Sequence, residues 1–314
     1  MSRFKVVVTD QVFPDVELER GLLAEIDASL EVADGSLDDA LARGRDADAL
    51  LNTYLSLDAD VFAQLERCRI VARYGIGVDN VDLTAAQQAG VVVTNVPDYC
   101  VDEVATHALA MLLALLRRLP QGDAKVRGGG WGLDGLRPMT RLTEVTVGLV
   151  GFGRIARRLA ESLRVLGCRL IVHDPFLEPS DDLPPLMSLE ELLRTADAVS
   201  LHAPLTPHTK GIINADALAL MPEHAVLVNT SRGPLVVLDD VVAALSAGRL
   251  RAAGLDVLPV EPPPPGALDE VPNLLVTPHT AFYSEQAVRE SQTKAATQVI
   301  KVLTDRAPDY AVTS

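Results

Sequence analysis

Apolar residues in this chain cluster in short unbroken runs, and between the runs they recur at helical spacing. Phe4–Thr9, Ala49–Asn52, Arg69–Tyr74 and Val91–Thr94 predict strands buried on both faces. Val16–Ile26, Ala59–Glu66 and Leu83–Ala89, lying between them, predict helices. The alternation resumes at Val145, with strands expected at Arg169–His173, Ala198–Leu201, Ala225–Val228, Ala252–Leu255 and Leu274–Val276. Helices are expected from Ile155 to Leu166, at Leu189–Thr195 and at Asp239–Ala247. Strands and helices in turn imply α/β architecture, with parallel sheets covered on both faces. Two longer helices stand apart. One starts at Asp102, read as its N-cap, and runs to about Leu119; its narrow polar stripe predicts packing between domains or subunits. The other, Ser284–Thr304, is amphipathic. Gln121–Thr140, rich in Gly and Arg, reads as a connector anchored by Trp131, the single tryptophan.

Composition narrows the function classes. At 314 residues, two domains are expected. A net charge of −15 argues against nucleic acid or an anionic membrane surface as a general partner, though local cations can still dominate a pocket. Cys68, Cys100 and Cys168 lack C-x-x-C spacing, which suits a reducing cytoplasm and offers no metal site. The N-terminus opens directly on a strand without a signal pattern. The most apolar run, Ala105–Leu116, contains His107 and is too short to span a bilayer.

The most informative stretch is Val145–Ala156, an apolar strand running into a glycine turn and then a helix. Gly151, Gly153 and Ala156 fill the G-x-G-x-x-G/A spacing of a dinucleotide-binding turn. Phosphates would meet the unpaired N–H groups at the helix start. The next strand ends at Asp174, 23 residues beyond Gly151, where a carboxylate can bond both ribose hydroxyls. Pro175, Phe176, Leu177 and Glu178 follow, with no cation placed for a 2′-phosphate, so NAD is expected rather than NADP.

Polar residues recur at the ends of the later strands: Asp174, His202, Arg232, Asp256 and His279. Open α/β sheets bind ligands at such ends. His202 and His208 read equally as turn residues or ligands, His107 and His173 as core or capping histidines, and Glu223 with His224 as a turn. Hydride transfer to a nicotinamide oxidises a carbinol, and histidine suits the accompanying proton near neutral pH. A carboxylate on its other ring nitrogen would fix the tautomer, and an arginine fork matches a substrate carboxylate. His279, Glu261 and Arg232 supply these three groups. In the first third, Asn52-Thr53-Tyr54 and the Arg73–Asn80 loop also lie at strand ends. The glycines of the second loop either offer N–H groups to a carboxylate or simply turn the chain.

The chain resembles the D-isomer-specific 2-hydroxyacid dehydrogenases over nearly its whole length. The resemblance is carried in order by RYGIGVDNVDL (73–83), NVPDYCVDEVATHALAMLL (95–113), VGLVGFGRIA (147–156) and HDPF (173–176). It continues through LHAPLTPHT (201–209), VNTSRGPLV (228–236), AAGLDVLPVEPP (252–263) and NLLVTPHTA (273–281). The look is nearest the branch that includes the C-terminal binding proteins. The resemblance implies two doubly wound parallel-sheet domains, a Rossmann NAD-binding domain (101–283) inserted into a flavodoxin-like substrate-binding domain (1–100 and 284–314). It implies Arg232, Glu261 and His279 as catalytic residues. Gly151, Gly153, Arg154, Ile155, Asp174, Ala203, Pro204, Thr209, Thr230, Ser231 and Asp256 would line NAD. Arg73, Gly75, Ile76, Gly77 and Arg232 would meet a small 2-oxo or D-2-hydroxy acid, and Asn52, Thr53, Tyr54 and Phe282 would shape its pocket. A cytoplasmic homodimer is also implied. Three positions depart from the pattern: Ala156 for a third glycine, Leu258-Pro259 where many members carry Phe-Glu, and Phe282 where the C-terminal binding proteins carry tryptophan. The alternatives are an NAD(H)-sensing, corepressor-like binding protein and a phosphoglycerate dehydrogenase lacking its regulatory domain.

Overall fold

Along β1 (Phe4–Val8), Val6 and Val8 enter one apolar cluster while Val7 enters another. Successive strand residues face opposite sides, so an unbroken apolar run needs cover on both. The computed structural model describes residues 2–312 and supplies that cover in two units, Met1–Tyr99 with Ser284–Ser314, and Cys100–Tyr283.

In the first unit β1 is followed by α1 (Glu17–Ala24), β2 (Ala28–Val32), α2 (Leu37–Gly44), β3 (Ala49–Asn52), α3 (Ala59–Phe62), β4 (Ile70–Arg73), α4 (Leu83–Gln88) and β5 (Val92–Thr94). The second unit runs through α5 (Val101–Leu116), α6 (Leu119–Arg127), β6 (Thr146–Val150), α7 (Arg154–Val165), β7 (Arg169–His173), α8 (Leu189–Thr195) and β8 (Ala198–Leu201). It ends with α9 (Ala215–Leu220), β9 (Val226–Asn229), α10 (Leu238–Ser246), β10 (Ala252–Leu255) and β11 (Leu274–Val276). The chain then returns to the first unit as α11 (Glu285–Leu303) and β12 (Ala311–Val312).

The first sheet has the order β2-β1-β3-β4-β5-β12, parallel except for β12, which runs antiparallel to β5. The second has the order β7-β6-β8-β9-β10-β11 and is parallel throughout. In each, strand order reverses beside the unit's first strand, which opens a crevice at the carboxyl ends of β1 and β3 and of β6 and β8.

Several elements differ from the sequence expectation. The sequence pattern does not predict β2 or α2; in β2 only Leu30 is buried, so the strand lacks the unbroken apolar run that marks the others. α5 starts two residues earlier than the sequence predicts. Cys100 is its N-cap, without a side-chain cap, and Asp102 lies in the first turn. Its Met111, Leu112, Leu115 and Leu116 join the core of their own unit, against α7 and the sheet, which explains the narrow polar stripe. Gly254 allows this approach: a Cβ there would lie 3.2 Å from Leu115. The expected connector contains a true helix, α6, with Pro120 in its first turn, Lys125 and Arg127 in its last, and no buried residue. Trp131 does not anchor it, being 84% exposed.

One buried polar group belongs to no expected feature. Glu19 on α1, 0% exposed, accepts from the Tyr74 hydroxyl at 2.8 Å and from Gln292 on α11. Burial pushes its carboxyl above the usual range. No helix among the described residues is long and apolar enough to cross a membrane.

Candidate active site

The two glycines of the turn after β6 answer different needs. Gly151 has φ +86, and a Cβ on it would sit 2.7 Å from the Ala203 amide nitrogen, so the fold itself demands glycine. Around Gly153 nothing lies within 4 Å of an added Cβ. The missing side chain there serves no neighbour in the chain; it leaves open the mouth of α7, whose first amides have no side-chain cap. That opening fits a pyrophosphate at the positive end of a helix. Ala156 is fully buried against the core, so the small methyl packs where a third glycine is usual.

Asp174, after β7, accepts from the Phe152 amide at 2.9 Å through one oxygen and from the Phe176 amide at 3.0 Å through the other. Each carboxylate oxygen keeps a second lone pair for a ribose hydroxyl. Arg154 is exposed at the start of α7 and Ile155 is half-buried. After β8, the Ala203 carbonyl accepts from Ser231 Oγ at 2.7 Å and the Pro204 carbonyl from Thr209 Oγ1 at 2.6 Å. The first bond ties the loops following β8 and β9, and the second braces the loop after β8 internally. Thr230 Oγ1 is buried without a hydrogen-bond partner among the described residues. Such a group costs roughly 1–3 kcal/mol unless a ligand satisfies it. The open mouth of α7 and this orphaned hydroxyl fit a bound dinucleotide.

His202 is half-buried, with Nε2 2.9 Å from Ser200 Oγ; burial holds its imidazole down to about 4, hence neutral. His173 meets the Met187 carbonyl through Nδ1 at 3.0 Å, and His224 meets Asp197 at 2.7 Å.

Past β9–β11 the three expected catalytic groups converge. His279 Nδ1 lies 2.7 Å from Glu261 Oε2, and Glu261 Oε1 accepts from the Leu258 amide at 2.8 Å. Burial opposes ionisation of Glu261, but the bonds from His279 and Leu258 and the positive fields of His279 and Arg232 prevail. Its carboxyl is held below the usual range. Arg232 is brought here by Gly233: a Cβ at that position would lie 2.0 Å from the Leu258 backbone, so only glycine lets the two segments touch.

Two buried polar side chains, at the ends of neighbouring strands, set these groups. Asn229 (0% exposed) donates to the Arg232 carbonyl at 2.8 Å and accepts from the Ser231 amide at 3.0 Å. Asp256 (1% exposed) accepts from Thr277 Oγ1 at 2.6 Å and from the amides of Thr280 and Ala281, both at 2.9 Å. Its carbonyl also takes the His279 amide at 2.8 Å. His279 has φ +53, a left-handed conformation costing roughly 1–2 kcal/mol in a non-glycine residue. The bonds from Asp256 hold it there. The Asp256 carboxylate thus serves the chain's own turn. Neither Asn229 nor this use of Asp256 was read from the sequence. Asn229 opens the NTSRG run, and an Asx turn before arginine was the available signal.

In the first unit, Arg73 is 6% exposed and is directed inward, from Nε to Asn52 Oδ1 at 3.3 Å and onward to the carbonyls of Thr53 and Gly77. The carbonyls of Gly75 and Ile76 are taken by the Val96 amide and Asn95 Nδ2. Because each peptide is trans and planar, the amides of Ile76, Gly77 and Val78 then point the opposite way. Asp10, also unforeseen, accepts from the amides of Thr53, Tyr54 and Leu55 and orders that loop.

Residues 109–281 match the family model described as "D-isomer specific 2-hydroxyacid dehydrogenase, NAD binding domain". The second unit is accordingly an NAD-binding domain. The chain is 37% identical over 95% of its length to a D-3-phosphoglycerate dehydrogenase of Mycobacterium tuberculosis, but spans only 56% of that relative. It is 34% identical over 94% of its length to a glyoxylate reductase of Aeropyrum pernix and covers 90% of it. Among solved structures, the TT0316 protein from Thermus thermophilus is 36% identical, with a TM-score of 0.88 over 98% of this chain and 99% of that one.

Proposed function

We propose, for a chain that belongs to the D-isomer specific 2-hydroxyacid dehydrogenases, that it interconverts a small 2-oxo acid and the corresponding D-2-hydroxy acid with NAD(H). The observation that carries this reading is the 2.7 Å contact between His279 and Glu261. An ionised Glu261 only accepts, so the proton shared with it belongs to His279 Nδ1, and Nε2 takes the proton-transfer role. In the reductive direction His279 gives its proton to the carbonyl oxygen. Arg232 holds the acid's carboxylate and polarises the carbonyl beside it. NADH, when bound, supplies the hydride to the carbonyl carbon. Gly153, the first turn of α7, Asp174 and Thr230 hold the cofactor. The amides of the Gly75–Gly77 loop are assigned to the substrate, with Arg73 bracing that loop from behind.

The names of the relatives support the substrate class, since glyoxylate is a 2-oxo acid and 3-phosphoglycerate a 2-hydroxy acid. All three cysteines are buried and none is in a disulfide, which suits the cytoplasm. A homodimer is supported by Leu119, Val126, Trp131 and Leu133, large apolar side chains left exposed on and after α6.

The test is turnover of NADH with glyoxylate, hydroxypyruvate and pyruvate, and of NAD with D-3-phosphoglycerate and D-lactate. Steady oxidation or reduction of the cofactor with at least one acid is expected. Tight NADH binding with no turnover on any of them would overturn the enzymatic reading and leave an NAD(H)-responsive binding protein.

A further inference from the structure

His107 lies on α5 rather than on a strand end, and borders a pocket of about 430 Å³ with Thr106, Thr280, Ala281 and Tyr283. Its Nε2 is 3.0 Å from Thr277 Oγ1 and 3.5 Å from Asp256 Oδ1. Thr277 has one hydroxyl proton, and that proton goes to Asp256 at 2.6 Å. The hydroxyl therefore accepts from His107, which fixes the His107 tautomer as Nε2–H. A directed chain results, from His107 to Thr277 to the Asp256 carboxylate. The other bonds of that carboxylate go to Thr280 and Ala281, the two residues after His279.

The backbone of the left-handed His279 turn is thus restrained through Asp256 and Thr277. The Asp256 carbonyl takes the His279 amide at 2.8 Å, and the Thr277 carbonyl takes it at 3.0 Å. His107 is the group that reaches this array from a separate helix.

We propose that His107 is a positioning residue for His279, acting through Thr277 and Asp256 to hold the strained turn that aims the imidazole. The proposal rests on His279 being the acid/base. Losing the donor on α5 leaves the Thr277 hydroxyl held only by its own bond to Asp256, which loosens one of the three side-chain and amide bonds that direct the carboxylate. Small displacements of a catalytic group are costly: about 1 Å can lower turnover by about 100-fold.

The experiment compares His107→Leu, His107→Gln, Thr277→Val and the His107→Leu/Thr277→Val double variant, with glyoxylate as the first probe. Each single loss variant should lower kcat about tenfold or more while KM for NADH stays within about twofold. The double variant should be no worse than either single, because both cut the same chain. Glutamine, which keeps a donor, should restore most of the activity. Multiplying losses, native kcat in His107→Leu, or glutamine as impaired as leucine would each overturn the assignment.

A second readout needs no turnover. The proton between His279 Nδ1 and Glu261 should give a downfield NMR resonance, identified by its loss in His279→Gln. It should broaden or shift in the two single loss variants and persist in His107→Gln. If the wild type turns over none of the acids but the resonance behaves this way, positioning stands and the enzymatic reading falls. An unchanged resonance in His107→Leu counts against positioning whatever the turnover.

Discussion

At the scale of single residues, the candidate site is a small set of polar groups held in fixed directions. Glu261 stays ionised below the usual carboxylate range, so it acts as an acceptor for His279 Nδ1 throughout neutral pH. Replacing His279 by Gln should lower kcat by roughly 10²–10⁴-fold with NADH affinity almost unchanged, since a positioned acid/base contributes about that much. Turnover and NADH fluorescence titration measure the two quantities separately, and near-native turnover would remove His279 from the mechanism. His202 offers a pH test of a different kind. Its imidazole is held at about 4 against an ordinary 6.5, so the unfolded chain takes up the proton first. Its contribution to stability is therefore complete above about 6.5 and is lost as pH falls toward 4, by at most about 1.4 kcal/mol per pH unit. Urea unfolding of wild type and His202→Asn between about pH 7 and pH 5 should show the steeper decline in the wild type. Parallel declines would mean that the native imidazole is not held neutral.

At the scale of elements, the β6–α7 corner separates a glycine the fold needs from one the ligand needs. Gly151→Ala puts a Cβ 2.7 Å from a backbone nitrogen at φ +86 and should destabilise the protein by about 1–3 kcal/mol. Gly153→Val meets open space, so stability should change by no more than about 1 kcal/mol while NADH affinity falls about tenfold or more. Thermal unfolding without cofactor and NADH titration of both variants decide this. A Gly153→Val protein that binds NADH normally would mean that the opening is not the pyrophosphate site. The spacing Gly-x-Gly was legible in the sequence, but the division of labour between its glycines was not. That division depends on where the Ala203 loop passes, 52 residues after Gly151 along the chain.

For the molecule as a whole, two doubly wound sheets are built from one chain, with α11 returning to the first unit after the second is complete. The exposed Leu119, Val126, Trp131 and Leu133 belong to a helix and loop that bury nothing of their own. Trp131→Glu together with Leu133→Glu should therefore convert a dimer to monomer in light scattering, leaving the fold of the monomer intact. A wild-type protein that is monomeric at micromolar concentration, or a variant that stays dimeric, would assign this apolar surface elsewhere.

The period-2 and period-3.6 patterns determined most of the elements and the α/β class, because burial on both faces of a strand demands an unbroken apolar run. They missed β2, where Leu30 alone is buried, and α6, which buries no residue and is marked only by a first-turn proline and last-turn cations. Residue chemistry singled out Arg232, Glu261 and His279 as candidates, and the family resemblance implies the same three. Only the tertiary structure showed what supports them. The bonds from Asn229 to the Arg232 turn, from Asp256 to the His279 turn and from His107 to Thr277 join residues whose side chains reveal nothing in isolation. A buried hydrogen bond is a relation between distant positions. Val145–Ala156 announces a cofactor because its chemistry is local, whereas the direction in which His279 points is set by residues as far away as α5.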